Sequence, residues 1–128
     1  MRRRDREVSE PEELLRIMEG CDVVRLGIWD GERPYIVPLN FALTVEAGRP
    51  VLWFHSAARG KKLDLLRRNP GVSFEMDRGH ALYSEAEQGY CTMEFESVMG
   101  TGTVDFPGEE EKETALERIV ARYHSEGF

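Results

Sequence analysis

The residues best suited to chemistry lie in one stretch of the sequence, where an apolar run, Val51 to Phe54, is followed at once by His55 and Ser56. An imidazole can gain or lose a proton near neutral pH, and a hydroxyl can donate and accept hydrogen bonds. Positive charge follows closely, in the segment Arg59, Gly60, Lys61 and Lys62. The stretch therefore joins a group for proton transfer to a group of cations.

These cations stand where a helix is predicted to begin, and their sign of charge is unusual there. The first turn of a helix has unpaired N–H groups and a partial positive charge, so acidic residues are typical of it. A bound anion would remove the conflict, and a phosphate group fits, because Gly60 lets the backbone come close to it. The other interpretation is a solvated basic helix face that pairs with Asp64. The stretch by itself leaves both open.

A strand and a helix must position this stretch. Val51 to Phe54 predicts a short buried strand, because the run is rich in β-branched and aromatic residues and too short for a helix. Ser56 is a good N-cap for the helix that follows, and Asn69-Pro70 ends it. The apolar face of this helix comprises Leu63, Leu65 and Leu66.

A second polar feature interrupts the apolar segment Pro34 to Leu43, which is predicted to form a strand. Pro38 cannot donate a ladder hydrogen bond, which indicates an edge strand, a bulge or a backbone that faces a ligand. Asn40 follows as a polar group in apolar surroundings. Either its amide satisfies a turn or bulge, or residues Val37 to Asn40 present polar groups to a planar ligand. Both interpretations stay open.

The first quarter of the chain predicts a helix and a strand. The helix runs from Ser9 to Glu19, because Ser9 with Glu12 forms a capping-box pattern and Pro11 falls in the first turn. Its buried face comprises Leu14, Leu15, Ile17 and Met18. A strand from Asp22 to Trp29 follows, and Asp30-Gly31 predicts a two-residue hairpin turn.

The second half is richer in predicted strand. A turn at Glu46 to Arg49 precedes the Val51 strand, Val72 to Asp77 forms another strand, and the polar segment Arg78 to Gly89 forms a surface loop. Tyr90 to Phe106 predicts a long strand whose alternation changes phase beside Gly100 and Gly102, which indicates a bulge there. The final helix runs from Glu109 to His124, with an apolar face of Leu116, Ile119, Val120 and Tyr123.

Together these elements predict an α+β fold in which about six strands form an antiparallel barrel with flanking helices. The strands cluster along the chain and are mostly linked as hairpins. A parallel, doubly wound sheet is disfavoured, because the sequence also lacks the GxGxxG turn of a Rossmann fold.

The composition indicates a soluble, single-domain protein that binds neither nucleic acid nor membrane. The chain has 128 residues, and no apolar stretch approaches the roughly 20 residues of a membrane helix. The net charge of −7 disfavours nucleic acid as the main partner. Residues 1–8 are expected to form a solvated basic arm. Because no apolar segment follows that arm, a cytoplasmic location is expected.

Neither a disulfide framework nor a metal site is expected. Cys21 and Cys91 form no CxxC pair and are predicted to be small apolar side chains, buried or half-buried. The histidines, His55, His80 and His124, are scattered without the spacing of a metal site. A chain this short has a modest core, which a dimer would enlarge by sharing.

Four segments in this order carry a family resemblance: MRRRDR, PYIVPLNF, FHSAARGKKLDLLRRNP and SVMGTG. Together they resemble the pyridoxamine 5′-phosphate oxidase-like flavoproteins, and within them the Nim-type nitroimidazole resistance branch. The resemblance implies one split β-barrel domain over residues 1–128. It also implies a homodimer that holds flavin mononucleotide (FMN) at the subunit interface.

Carried over by position, the resemblance implies which residues hold the FMN. The residues that would border the isoalloxazine ring are Val37, Pro38, Leu39 and Asn40. Those along the ring and the ribityl chain would be His55, Ser56 and Ala57. Lys61 and Lys62 would hold the phosphate, and Ser97 would reach the flavin of the other subunit.

The implied function is an FMN-dependent oxidoreductase that passes electrons from a nicotinamide donor to a small acceptor, such as a 5-nitroimidazole. His55 would be the catalytic residue that donates a proton or hydrogen bond near the flavin, although a structural role at the barrel end fits it equally well. One alternative is a non-catalytic binding module for flavin, haem or the deazaflavin F420, with His55 as a haem ligand. Another is a dimeric scaffold. Relatives commonly continue past the last helix, whereas this sequence ends at Phe128, so the resemblance supports a cofactor better than a substrate.

Overall fold

The computed structural model describes residues 6–55, 60–85 and 90–124. The strands follow one another in groups between the helices, which is an order typical of an α+β protein. The elements are α1 Pro11–Glu19, β1 Val24–Trp29, β2 Pro34–Leu39, β3 Ala42–Glu46, β4 Arg49–Trp53, α2 Lys61–Arg68, β5 Gly71–Glu85, β6 Tyr90–Thr103 and α3 Glu109–His124.

The strands form two antiparallel sheets. The larger sheet has the order β2-β1-β5-β6, and the smaller sheet pairs β3 with β4. This arrangement confirms the predicted α+β class and the antiparallel split barrel of six strands, since the barrel wall is divided rather than closed. It also makes β2 an edge strand. Pro38 has no N–H to donate, and an edge strand tolerates this because it has a neighbour on one side only.

The division between the sheets falls at Asn40 and Phe41, so the single strand predicted from Pro34 to Leu43 is wrong. Phe41 is fully buried, and its N–H donates to the Tyr123 hydroxyl at 3.1 Å. That hydroxyl donates in turn to the carbonyl of Asp22 at 2.6 Å, and the Asn40 amide donates to the same carbonyl at 3.1 Å. The Asn40 amide nitrogen therefore pairs with a backbone carbonyl at the turn, as the turn interpretation of Asn40 predicted.

Helix α3 fastens the chain across this junction. The Arg122 guanidinium donates to three carbonyls at the end of α1, those of Met18, Glu19 and Cys21, at 3.3, 2.9 and 2.8 Å. Carbonyls at a helix C-terminus are unpaired and carry partial negative charge, so a cation there is favourable. The same guanidinium lies 4.4 Å from the centre of the Phe41 ring. One side chain thus links α3, α1 and the junction.

The helix starts differ from the sequence predictions. The N-cap of α1 is Glu10, without a side-chain cap, so the capping box of Ser9 and Glu12 is wrong, while Pro11 does stand at the first helical position. The N-cap of α2 is Gly60, with a φ of +141°, rather than Ser56, which lies outside the described residues. A backbone at that φ favours glycine.

Two turn predictions meet different outcomes. The loop between β1 and β2 spans Asp30 to Arg33, so the two-residue hairpin predicted at Asp30-Gly31 is wrong. The turn predicted at Glu46 to Arg49 is confirmed, with Ala47 and Gly48 at φ of 51° and 77° between β3 and β4.

The β5–β6 hairpin contains the largest departure from the predictions. The surface loop predicted from Arg78 to Gly89 is wrong as far as Glu85, because β5 continues to that residue and pairs with β6. The register shift lies between Arg78 and Ala81, where Gly79 has a φ of +70°, and not beside Gly100 and Gly102. The bulge therefore lies in β5, within the polar segment whose sequence did not indicate a strand.

The core lies between the inner face of the four-stranded sheet and the helices α1 and α2. Its fully buried side chains are Ile17, Cys21, Val24, Leu26, Ile28, Phe41 and Met76. Cys21 thus occupies the predicted buried position, and burial raises the pKa of its thiol, whereas the Cys91 side chain lies outside the described set. On α3 the predicted apolar face is wrong in part, because Leu116 and Val120 are exposed while Ile119 is buried.

A substitution at Gly100 would test how tightly this sheet is packed. It pairs with Phe74 across β5 and β6, and a Cβ added at Gly100 would lie 2.8 Å from Cε1 of that ring. We expect Gly100→Ala to lower the free energy of unfolding by about 1–3 kcal/mol, because the ring must shift within a packed core. Gly102→Ala is the matched control, since no atom lies within 4 Å of its added Cβ. Equal unfolding midpoints of the two variants in urea would contradict this account.

Candidate functional site

The side of the four-stranded sheet turned away from the helices, here called the outer face, is open. Alternate β1 residues divide between the two sides, with Val24, Leu26 and Ile28 buried and Arg25 and Trp29 exposed. The strand register extends this division across the sheet. The outer face thus includes Pro34, Ile36, Pro38, Arg25, Trp29, Ser73, Glu75, Asp77, Ser97, Met99, Thr101 and Thr103.

The predicted ring-bordering residues of β2 divide between the two sides of the sheet. Pro38 is exposed on the outer face, whereas Val37 and Leu39 are half-buried and pack against the core. A ligand on the outer face could therefore meet Val37 and Leu39 only through their backbone. The Asn40 amide nitrogen is engaged by Asp22, which leaves its carbonyl oxygen as an acceptor.

The two lysines at the start of α2 differ in their surroundings. Lys61 lies beside the β1–β2 loop, with its Nζ 3.8 Å from Asp30 Oδ2 and 4.6 Å from the centre of the Tyr35 ring. Lys62 is half-buried, and no hydrogen bond or ion pair joins it to another described residue. Lys61 therefore already has an anionic neighbour, and Lys62 does not.

Asp30 is itself held by the backbone of its own loop. Its Oδ1 accepts the N–H groups of Glu32 and Arg33 at 2.8 and 2.7 Å, and these bonds hold the pKa of its carboxyl below the usual value, with a smaller contribution from Lys61. A cleft of about 560 Å³ lies between this loop and α2. Its charged lining residues are Asp30, Glu32, Asp64, Lys61 and Arg68, an excess of one negative charge.

His55 lies just after β4 and is exposed, with no hydrogen bond or ion pair to another described residue. Its imidazole is free to meet a ligand, and no described contact of the side chain supports the structural alternative. Ser56 and Ala57, predicted beside it, lie outside the described residues.

Ser97 belongs to a polar network at the centre of the outer face. Its hydroxyl donates to Glu75 Oε2 at 3.1 Å, and Arg25 Nη1 donates to Glu75 Oε1 and Asp77 Oδ2 at 2.7 and 3.1 Å. His80 Nε2 lies 3.0 Å from Asp77 Oδ1. The sequence predictions included Ser97 alone of these residues. The alternation of two acids in the strand segment Phe74 to Asp77 was the available signal.

The two carboxyls of this network titrate as a pair. Burial, and then the hydrogen bond with Asp77, raises the pKa of Glu75, while the hydrogen bond from Glu75 lowers the pKa of Asp77. The two acids share one guanidinium, so ionisation of one carboxyl disfavours ionisation of the other, and the Arg25 charge opposes this effect only in part.

A second cleft, of about 570 Å³, lies at the other end of the outer face. Small residues form much of its lining, namely Gly27, Gly71, Ser73, Thr101, Gly102 and Thr103, and the Trp29 and Pro34 side chains stand beside them. Small residues let a flat group approach the sheet backbone closely.

The structure therefore brings some of the predicted site residues together and separates others. Pro38 and Ser97 share the outer face, on the two edge strands of the sheet. Lys61 lies at the β1–β2 loop, Lys62 follows it on α2, and His55 follows the smaller sheet. Among the described residues, no three acidic, cysteine or histidine side chains are placed to hold a metal ion. No helix in the described ranges is long and apolar enough to cross a membrane.

The Asp30 contacts predict a pH-dependent effect on stability. We expect Asp30→Ala to lower the thermal midpoint at neutral pH, because two loop N–H groups and Lys61 lose their acceptor. A carboxyl with a lowered pKa in the fold contributes stability above its ordinary pKa, and that contribution is lost as the pH falls through the lowered value. The gap between wild type and variant should therefore narrow as the pH falls below the ordinary pKa of a carboxyl group.

Two controls separate the parts of this effect. Asp30→Asn keeps an oxygen acceptor for the loop N–H groups and removes only the charge, so part of the midpoint should return at neutral pH, and the gap between Asp30→Asn and Asp30→Ala should not depend on pH. Glu32→Ala changes an exposed acid of the same loop and should have little effect. A gap between wild type and Asp30→Ala that stays constant down to acid pH would contradict the assigned role.

Comparisons with known proteins cover most of the chain. The pattern of the family described as pyridoxamine 5′-phosphate oxidase matches residues 10–127. A crystal structure of a putative 5-nitroimidazole antibiotic resistance protein from Bacteroides thetaiotaomicron is similar at 32% identity and a TM-score of 0.79, over 94% of this chain and 70% of that chain. Comparison with curated proteins gives no significant match.

Two more distant structures share the fold. The flavocytochrome Anf3 from Azotobacter vinelandii is 16% identical, with a TM-score of 0.70 over 88% of this chain and 51% of that chain. A FAD-binding protein from Mesorhizobium loti is 24% identical, with a TM-score of 0.64 over 91% of this chain and 78% of that chain. With 118 of 128 residues inside the family match, which runs from 10 to 127, this chain belongs to the pyridoxamine 5′-phosphate oxidase family.

Proposed function

We propose that the protein binds FMN and is a homodimeric, FMN-dependent oxidoreductase that reduces a small acceptor, such as a 5-nitroimidazole, with a nicotinamide electron donor. The observation that carries this proposal is the match over 94% of the chain to a protein described as a putative 5-nitroimidazole resistance protein. The two more distant relatives are a flavocytochrome and a FAD-binding protein, which agrees with a flavin.

The start of α2 has the chemistry that a phosphate requires. Gly60 caps this helix without a side-chain acceptor, so the first-turn N–H groups remain available to an anion. Lys62 is a half-buried residue, and its ammonium has no described partner. Because Asp30 already neutralises Lys61, we assign the larger part of phosphate binding to Lys62. These donors fit the phosphate of FMN.

The outer face has the properties of a surface shared by two copies. Its large exposed side chains, with their exposed fractions, are Trp29 (49%), Ile36 (66%), Phe95 (59%) and Met99 (75%). Four such side chains around a polar centre are more than a small monomer normally leaves in water. A second copy on this face would bring Ser97 of one subunit toward the ligand bound by the other, as the homodimer proposal requires.

Bound FMN supplies the two-electron redox chemistry. Reduction of a nitro group to a nitroso group takes two electrons and two protons and releases water. A nicotinamide donor provides a hydride, which carries both electrons and one proton, and the second proton comes from the protein or solvent. His55 is exposed and without a described partner, so its imidazole is suited to deliver that proton.

The proposed activity predicts two measurements on the purified protein. It should show a flavin absorption spectrum after FMN is added, and it should consume NADH or NADPH in the presence of a 5-nitroimidazole. His55→Gln should retain FMN and lose turnover by about 100-fold or more. An unchanged rate would remove His55 from the mechanism. A Soret band or the absence of any bound chromophore would overturn the flavin proposal.

The phosphate assignment predicts a difference between FMN and riboflavin, which lacks the phosphate. Lys62→Ala removes a charge-assisted contact worth roughly 1.5–3 kcal/mol, so FMN affinity should fall by about 10- to 150-fold while riboflavin affinity stays nearly constant. Lys61→Ala is the matched control, since that lysine is 58% exposed and contacts Asp30, and its effect on FMN should be smaller. Flavin fluorescence titrations measure all four affinities. Equal losses for FMN and riboflavin would indicate damage to the fold instead.

A further inference from the structure

The polar network at the centre of the outer face is unbalanced in charge. Its charged residues are Arg25, Glu75, Asp77 and His80. Two carboxylates therefore face one guanidinium, with a histidine at the edge. Among the described residues of these four strands, the outer-face register contains no other charged side chain. The remaining neighbours are uncharged, including Ser97, Pro38, Met99 and the Phe95 ring, which stacks on His80 with centroids 6.5 Å apart.

The network is only half covered in the single chain. The exposed fractions of the Arg25, Glu75 and Asp77 side chains are 44%, 30% and 19%, and water can screen the excess negative charge there. Exposed apolar side chains of the same outer face, Ile36 and Met99 among them, lie around these three residues. Any partner that covers the apolar side chains must therefore also remove water from the charged centre.

A second copy of the chain would bring the same imbalance with it. Two copies placed face to face contribute four carboxylates and two guanidiniums, whatever their relative rotation. A buried charge without a partner is costly, and neutrality then requires two protons, one for each copy. Those protons can go only to the carboxyl pairs or to the two His80 side chains. The count does not depend on the detailed geometry of the pairing.

We propose that pairing of two copies through the outer face takes up one proton per subunit, held between Glu75 and Asp77, so that assembly is controlled by pH. This inference rests on the homodimer of the proposed function and adds a regulation to it. Arg25 Nη1 contacts Glu75 Oε1 and Asp77 Oδ2 at 2.7 and 3.1 Å, so the two carboxyl groups converge on one guanidinium, which offsets only one of their charges. The hydrogen bonds from Arg25 and Ser97 favour the ionised form of Glu75 while water covers the pair, and it is the removal of that water that favours a proton there. His80 is 53% exposed at the edge of the network.

The sign of the effect follows from mass action. Because the dimer holds more protons than two separate chains, lower pH favours the dimer, and the dissociation constant rises with pH. Two protons per dimer correspond to at most about a 100-fold change per pH unit. We expect a rise of at least about tenfold between about pH 5 and pH 8. Sedimentation velocity over a concentration series, with and without saturating FMN, measures it.

Three variants assign the proton. Glu75→Gln keeps partners for Arg25 and Ser97 and removes one negative charge, so the dimer should be tight at all pH values and the dependence should disappear. Asp77→Asn removes the same charge and serves if the first variant fails to fold. Glu46→Gln, an acid at the end of β3 in the other sheet, is the control and should keep the wild-type dependence. Loss of the dependence in His80→Gln alone would move the proton to the histidine and overturn the assignment.

The outcomes separate this inference from the proposed function. A dimer whose dissociation constant is the same from about pH 5 to pH 8, and which still binds FMN, overturns the proton uptake alone. A pH-controlled dimer that binds no flavin overturns the proposed function alone. A monomer at every pH overturns the pairing itself. If the dimer stays intact at the lowest measurable concentration, subunit exchange between two tagged forms reports the same linkage, and its rate should rise with pH.

Discussion

The Tyr123 hydroxyl is the contact on which the arrangement of the two sheets depends. It donates to the Asp22 carbonyl before β1 and accepts the Phe41 N–H between β2 and β3. Three separate parts of the chain, including the last helix, therefore meet at one oxygen. A chain that leaves one sheet must break its ladder, and the backbone groups released there need partners away from water. Tyr123 supplies an acceptor for the Phe41 N–H, and the Asn40 amide joins the junction to the Asp22 carbonyl, so both contacts hold the chain where it turns into the second sheet.

The outer face is a consequence of that turn. Once β3 and β4 separate from the larger sheet, α1 and α2 cover one side of the four strands, and the other side has no covering element in the described part of the chain. An antiparallel sheet tolerates one wet side when it is polar. Here the wet side has charge at its centre and apolar side chains around it. The proposed homodimer would cover these apolar side chains, but it would also bury a charged centre, which the cores of protein interfaces normally lack.

The sequence predictions succeed where local physics decides and fail where distant contacts decide. The bounds of α3 and the end of α2 were correct, because periodicity and Asn69-Pro70 are local signals. The extension of β5 beyond Asp77 was missed, since the segment is polar and becomes a strand only by pairing with β6. The break at Phe41 depends on Tyr123, 82 residues away, and no local pattern reports it. The charged network was missed for the same reason, because Arg25 and Glu75 meet only through strand register.

The cations at the start of α2 show how a single sequence anomaly can have two physical origins. The pattern suggested either a phosphate site or a solvated basic face, and the described contacts of the two lysines differ. The contacts of Lys61 agree with a basic helix face. Its ammonium lies near Asp30, which its own loop holds in place, and beside the Tyr35 ring. Lys62 lies about 100° further round the helix, is half-buried, and has no acidic partner among the described residues. A cation at the positive end of a helix dipole is unfavourable without an anion, so the charge of Lys62, which has no described partner, supports the proposed phosphate contact.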